Sequence, residues 1–278
     1  MRGWWREFSG LVLPASCGGC GRQRTALCGR CRAALLDGPA RRVRPAPEPA
    51  GLPEVYAAAR YEDAVRAVLL GHKERGALGL AGVLGRALAG AVRAAAGPCA
   101  RGQLVLVPVP SSRRAVRARG HDATRRMALA AAGELRRTGT DARVAPVLRQ
   151  GRAVADQAGL SAPQRLANLA GALRVAGGGA RLLEGGSVVL VDDLMTTGAS
   201  LVEAARAVAA GRVREPGMGY RGEGEEDGCL RQRIPGISPP GSAHHRRRSG
   251  DAQWHAGPRR VLAAVVAATP ESFAINRN

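Results

Sequence analysis

The run Val188-Val189-Leu190-Val191-Asp192-Asp193-Leu194-Met195-Thr196-Thr197-Gly198-Ala199-Ser200-Leu201 reads as a strand, two carboxylates and a phosphate-sized loop without a break. Four β-branched or leucine residues in a row, between Gly186 and the acids, have the composition of a parallel strand covered on both faces. Such a strand puts Asp192 and Asp193 at its carboxyl end, where open α/β sheets bind their ligands. Thr196 to Ser200 then turn before a helix that begins near Leu201. Gly198 permits a tight turn with inward-pointing N–H groups, and a helix amino terminus adds a field that favours an anion. The candidate phosphate loop is therefore Met195, Thr196, Thr197, Gly198, Ala199 and Ser200. Asp192 and Asp193 are the candidate catalytic residues, suited to accept hydrogen bonds from ribose hydroxyls or to hold Mg²⁺ through water. Diol on the acids and phosphate on the loop together describe a sugar phosphate. The bland alternative is a buried strand ending in a solvated turn; acid-ended strands also occur in nucleotide hydrolases, but no GxxxxGK[ST] loop is present.

Toward the amino terminus, Cys17-x2-Cys20-x7-Cys28-x2-Cys31 forms two knuckles that can present four thiolates to one tetrahedral ion, and zinc is the expected occupant. The gap of seven is short for a zinc ribbon, and Gly18, Gly19, Gly21 and Gly29 supply permissive backbone. Four filled ligand positions leave none for substrate, so the metal's role is structural. Two disulfides are the competing reading. They need an export signal, and the apolar run Leu11-Val12-Leu13 before Pro14 is too short for one, so a cytoplasmic chain without a transmembrane segment is expected. Trp4 and Trp5 are expected to pack on this module, with contact to a partner or membrane surface as the alternative.

Composition bounds the rest. With 278 residues, 45% of them apolar, the chain can bury a real core, and two unequal units are expected. Aromatics make up only 3%, which weighs against a single-strand nucleic-acid binder built on stacking. The net charge of +20 gives a general affinity for polyanions, but the arginines that cause it are spread along the chain. Lys73 is the only lysine among 42 basic residues. A compact ammonium is not equivalent to a planar guanidinium in a tight pyrophosphate site, so Lys73 is a candidate ligand; chance survival on an exposed turn is the alternative.

The expected organisation is a cysteine-rich module at 1–36, an extended linker at 37–53, and a third segment at 54–278. Within the last, strands are expected at Val55–Tyr61, Leu104–Val107, Arg143–Leu148 and Arg260–Thr269, and helices at Glu62–Leu70, Leu78–Ala95 and Asp122–Leu135. After Leu104–Val107, Pro108-Val109-Pro110 forces an extended exit, from which Ser111, Ser112 and Arg113 can approach a diphosphate. Arg149 to Leu160 has no strong periodicity and reads as a mobile loop; Ser161 then caps a helix carrying Arg165 and Asn168. Gln157, Arg165 and Asn168 are candidate loop or base-side contacts. Residues 212–257 lack any period and read as a disordered insertion whose eight arginines and six acids leave a net charge of only +2.

The motif at Val188–Leu201 resembles the phosphoribosyl pyrophosphate motif of the type I phosphoribosyltransferases, and the remaining segments narrow the resemblance to the ComF competence-protein family. They are the four cysteines, Leu69-Leu70-Gly71-His72-Lys73-Glu74-Arg75-Gly76, Val107-Pro108-Val109-Pro110, Arg117-Ala118-Arg119-Gly120-His121-Asp122, and Asp156-Gln157 with Arg165 and Asn168. The resemblance implies an α/β protein with the parallel-sheet type I phosphoribosyltransferase fold and a small amino-terminal zinc-ribbon-like module. It implies a pyrophosphate loop at Ser111 and Ser112, and Mg²⁺-assisted displacement of pyrophosphate by a nitrogen nucleophile. The expected partners are phosphoribosyl pyrophosphate and, in an alternative reading as a non-catalytic sensor or scaffold, DNA or the DNA-uptake machinery; a homo-oligomer stays open. The long interval at 212–257 departs from the family's short turn.

Overall fold

A computed structural model describes residues 16–98, 102–155, 159–213 and 260–274, all within one body. Trp4, Trp5, Asp156, Gln157 and the expected insertion from residue 214 onward lie outside the described residues. After the cysteine segment the chain forms α1 (Gly29–Leu36), β1 (Arg41–Val43), β2 (Glu54–Arg60), α2 (Asp63–Glu74) and, past a 3-10 turn, α3 (Ala81–Ala96). It continues through β3 (Gln103–Pro108), a short α4 (Arg113–Arg119), α5 (Ala123–Arg137), β4 (Ala142–Val144) and β5 (Leu148–Gln150). Then follow α6 (Ala162–Leu169), β6 (Leu173–Val175), β7 (Gly186–Met195), α7 (Ala199–Val213) and β8 (Leu262–Ala268).

Six strands make one sheet in the order β1-β2-β8-β7-β3-β4. All are parallel except β1, which runs antiparallel to β2 at the edge. The protein is thus α/β, with a mostly parallel sheet and a four-cysteine cluster near its amino terminus. The apolar run of β7 is central because both of its faces are covered. Strand side chains alternate, so Val189 and Val191 join α3 and α5 in one core, while Val188 and Leu190 join α7 in the other. Each such buried side chain contributes about 2 kcal/mol, and a slip of one residue would exchange the two rows and drag a carboxylate inward, so the register is strongly set.

Several elements differ from their sequence expectation. The strand expected over Arg143–Leu148 is two strands in two sheets. Pro146 has no N–H to continue the ladder; Ala145 N–H still donates to Leu106 O, but Val147 N–H turns back onto Ala145 O, and β5 pairs antiparallel with β6. Arg149 and Gln150, expected in a loop, belong to that pair. Within the expected linker, Arg41–Val43 pairs with β2 because Val43 turns into the core, where it is 1% exposed. Among the described residues, Cys17, Leu27, Cys28, Cys31 and Leu35 share one core with residues of α2 and α3 such as Val68, Leu69 and Leu84. Finally, α2 runs four residues past its expected end, since Val65, Val68, Leu69 and His72 keep the buried face in helical spacing. That extension carries Lys73.

Candidate functional site: an acid pair, a loop and two cations

The acids emerge where β7 outruns β3, while β7 continues beside β8 as far as Met195, with Asp192 opposite Val265. Pro108, the last residue of β3, pairs with Val191, and Val109 N–H still donates to Val191 O at 2.9 Å, so Asp192 and Asp193 stand just past the last shared rung. Asp193 continues the row of Val189 and Val191 on the face packed by α3 and α5, where the end of α2 also arrives. There the Lys73 ammonium meets Asp193 Oδ2 at 2.6 Å, with the carboxylate 8% exposed. Asp192 lies on the other row, and its Oδ1 accepts from the Asp193 N–H at 2.8 Å.

The electrostatics of the three groups oppose one another. Burial first, and then the negative charge of Asp193, push the Asp192 carboxyl well above the usual carboxylate range; Lys73 pulls the other way without prevailing. Burial acts to lower the Lys73 ammonium, but the facing charges of Asp193 and Asp192 outweigh it and raise the group above its ordinary value. Two acids therefore share one cation.

Past Met195 the loop turns at Gly198, whose φ of +78° belongs to the left-handed region. A Cβ there would come within 2.8 Å of Leu52 Cδ1, so the loop is closely covered by the strand connection carrying Pro49 and Leu52. Val202 N–H donates to Gly198 O at 3.0 Å as α7 begins. A second cation reaches this end of the motif: Arg165, on α6, donates from a terminal nitrogen to Thr196 Oγ1 at 3.4 Å, while its Nε is buried and has no partner among the described residues. Ser161 and Gln164 form a reciprocal capping box at the start of α6, which sets the helix that presents Arg165.

The expected site residues are thus distributed as follows. Asp192, Asp193 and the loop from Thr196 to Ser200 are contiguous at the carboxyl end of β7, and Lys73 joins them through Asp193. Ser111 and Ser112 follow β3, next to β7 in the sheet; the Ser112 oxygen accepts from Ala115 N–H and caps α4. Asn168 bonds the backbone of Ala155 through both ends of its amide, and so holds the preceding loop. Sequence reasoning attached no role to Arg119, whose guanidinium donates to the Lys73 carbonyl at 3.2 Å. It also passed over Glu203, 3% exposed, which accepts from Leu173 N–H and Arg206 and ties α7 to β6. Long-range contacts of this kind leave no local pattern.

The cysteines form a second candidate centre. Their four Sγ atoms lie within 4.8 Å of one another, with Cys20 and Cys28 at 3.6 Å, and none of the four is in a disulfide. A tetrahedral ion with bonds near 2.3 Å requires sulfur separations of about 3.8 Å, so the cluster is close enough to hold a metal. Cys28 N–H donates to Cys17 Sγ. Although burial opposes it, amide donors from Cys28, Cys20 and Gly19 lower the Cys17 thiol to about 6, the form a metal needs. The backbone closes tightly here, since a Cβ on Gly19 would lie 2.7 Å from Cys31 Sγ.

Among the described residues one helical stretch, Leu78–Ala96, has the length and apolarity to cross a membrane; its residues Val83, Leu84, Leu88 and Val92 are instead buried in the core. No protein-family model matches the chain, and no curated protein matches it.

Proposed function

We propose that the chain is a phosphoribosyltransferase-like protein of the type I class, akin to the ComF competence proteins, which binds phosphoribosyl pyrophosphate with Mg²⁺ and carries zinc in its cysteine cluster. The observation that carries the reading is the placement of one cation at each end of a single motif, Lys73 on the acids and Arg165 on the loop. A sugar bearing a phosphate at one end and a diphosphate at the other requires that arrangement. Asp192 and Asp193 accept hydrogen bonds from the ribose hydroxyls. The N–H groups at the start of α7, with Thr196, Thr197 and Ser200, hold the 5′-phosphate, and Arg165 adds charge there. Lys73, with Ser111 and Ser112, faces the diphosphate.

Oxygen donors suit Mg²⁺, and two adjacent carboxylates fit it through water even with Lys73 on one of them. Held there by Asp192 and Asp193, the ion would supply positive charge to offset that of the diphosphate. The residues themselves act by positioning and charge: the C1–oxygen bond to pyrophosphate breaks as a nitrogen nucleophile bonds to C1, and pyrophosphate departs with the electron pair. Zinc suits the four thiolates and acts structurally, as every ligand position is taken.

Thermal unfolding with Mg²⁺, with and without phosphoribosyl pyrophosphate, tests the reading. A ligand at one hundred times its Kd stabilises by about 2.7 kcal/mol, which moves the midpoint by several degrees. No shift at millimolar ligand rejects the proposal. Pyrophosphate release with a panel of nucleobases and amines then separates an enzyme from a sensor that binds without turnover.

A further inference from the structure

The motif Arg117-Ala118-Arg119-Gly120-His121-Asp122 takes no part in the site above, yet it forms the corner between α4 and α5 and grips the end of α2 that carries Lys73. Gly120, at φ +73°, ends α4 in the left-handed conformation, and Asp122 caps α5 by accepting from Arg125 N–H. Between them the Arg119 side chain, 12% exposed, folds back to donate from Nε to Ala115 O at 3.1 Å. Its other arm donates to Lys73 O at 3.2 Å, and Glu74 Oε2 lies 3.9 Å from Nε. The last carbonyls of a helix have no partner within the helix, so a guanidinium on the Lys73 carbonyl acts as a cap supplied from a distant element.

A second contact lies one residue earlier. His72 is fully buried, with Nδ1 3.4 Å from Ala77 O and Nε2 3.4 Å from Ala123 O, and its ring is 6.0 Å from that of His121. A neutral imidazole donates to only one of those carbonyls, so the ring's main effect is to lock the final turn of α2 against the start of α5. A lysine stem has four rotatable bonds and loses much freedom when its tip is held. Fixing the backbone from both sides leaves only the side chain to be ordered.

We propose that the α4–α5 corner is a clamp for Lys73, in which Arg119 is the positioning residue that aims the ammonium at Asp193. The inference rests on the proposed function only for its consequence at a ligand: the clamp confers preference for a sugar diphosphate over a sugar monophosphate, because Lys73 is the cation set for the diphosphate end.

That Lys73 is the sole lysine makes the clamp measurable in the intact chain. The rate at which an N-hydroxysuccinimide ester acylates it, read by mass spectrometry of the peptide, reports how firmly the ammonium is held. Arg119→Gln should accelerate acylation at least fivefold, toward the rate of Asp193→Asn, in which the partner charge is removed. If Arg119→Gln does not fold, Arg119→Met, which keeps the buried stem but not the two-armed guanidinium, should accelerate it at least twofold. A folded variant that reacts at the wild-type rate overturns the clamp. With Mg²⁺ present, Arg119→Gln should weaken phosphoribosyl pyrophosphate at least tenfold and leave ribose 5-phosphate within twofold; equal loss of both overturns the assigned preference. Faster acylation in a protein whose wild type binds neither probe supports the clamp and counts against the proposed function alone.

Discussion

The cysteine cluster and the acid–loop site are each written in a short contiguous stretch, and each gathers groups that repel one another, but the two resolve the repulsion differently. In the cluster every sulfur converges on one point, Cys17, Cys28 and Cys31 are buried in the main core, and amide donors lower the Cys17 and Cys28 thiols while burial and the neighbouring sulfurs push Cys31 up. Adding one divalent ion satisfies the whole arrangement. At the end of β7 two carboxylates are set side by side with a single lysine, and one of the acids is forced toward its neutral form. That centre is left short of positive charge until a ligand and its counter-ion arrive. The first region is built to hold the chain together and the second to be completed from outside.

The comparison is broken most easily at the cysteines. Cys31→Ser, or prolonged chelation of the wild type, should remove one bound zinc per chain and destabilise by more than about 3 kcal/mol, because the ligand set and the surrounding core are lost together. A drop in melting temperature of roughly 10 °C corresponds to that loss. Retention of metal and midpoint in Cys31→Ser would falsify the structural role.

The acids should respond with opposite signs. Asp193→Asn removes the partner of Lys73 and should cost about 1–2 kcal/mol of stability, together with at least a hundredfold loss of phosphoribosyl pyrophosphate affinity by calorimetry. Asp192→Asn should lose affinity too, yet melt higher than the wild type without ligand, since it removes a charge that burial and Asp193 disfavour. The pH dependence follows from the raised folded pKa of Asp192. Stability tied to its neutral form is fully present below the unfolded carboxyl value and is lost as pH rises through the folded one. The advantage of Asp192→Asn should accordingly be small in acid and grow toward neutral pH. Scans at several pH values that show a constant difference exclude this account.

Smaller effects sharpen the picture. Gly198→Ala meets both a positive φ and the Leu52 methyl group, so a loss of about 1–2 kcal/mol is expected, with weaker binding of ribose 5-phosphate as well as of the diphosphate. Ser161→Ala removes the cap of α6 and should cost about 1 kcal/mol in denaturant titrations. Because α6 carries Arg165, a modest loss of phosphate affinity should accompany it, while zinc content stays unchanged.

Much of this was open to sequence reading for an identifiable reason. The β7 strand, its acids and its glycine turn depend on residues adjacent in the chain, and the cysteine spacing is likewise local. Ser161 and Gln164 announce a helix start three residues apart. Pro146 marked the break between β4 and β5, but the apolar composition around it suggested one strand, and the alternative pairing with β6 is a non-local event. The edge strand at Arg41–Val43 was hidden by its proline- and arginine-rich surroundings; the burial of Val43 against the sheet, not propensity, makes it a strand.

By itself the sequence determined which chemistry could be present: two neighbouring carboxylates, a hydroxyl-rich loop closed by glycine, four thiols in paired spacing and a lone lysine. Only the tertiary structure decided how these groups meet. The alternation of β7 sends Asp193, rather than Asp192, to the face where the end of α2 arrives; Arg119 and His72 hold the end of that helix in place; and the Lys73 ammonium consequently meets Asp193. The physical reason is that local sequence sets backbone conformation and side-chain type, whereas the sharing of charge among buried groups depends on distances between elements far apart in the chain.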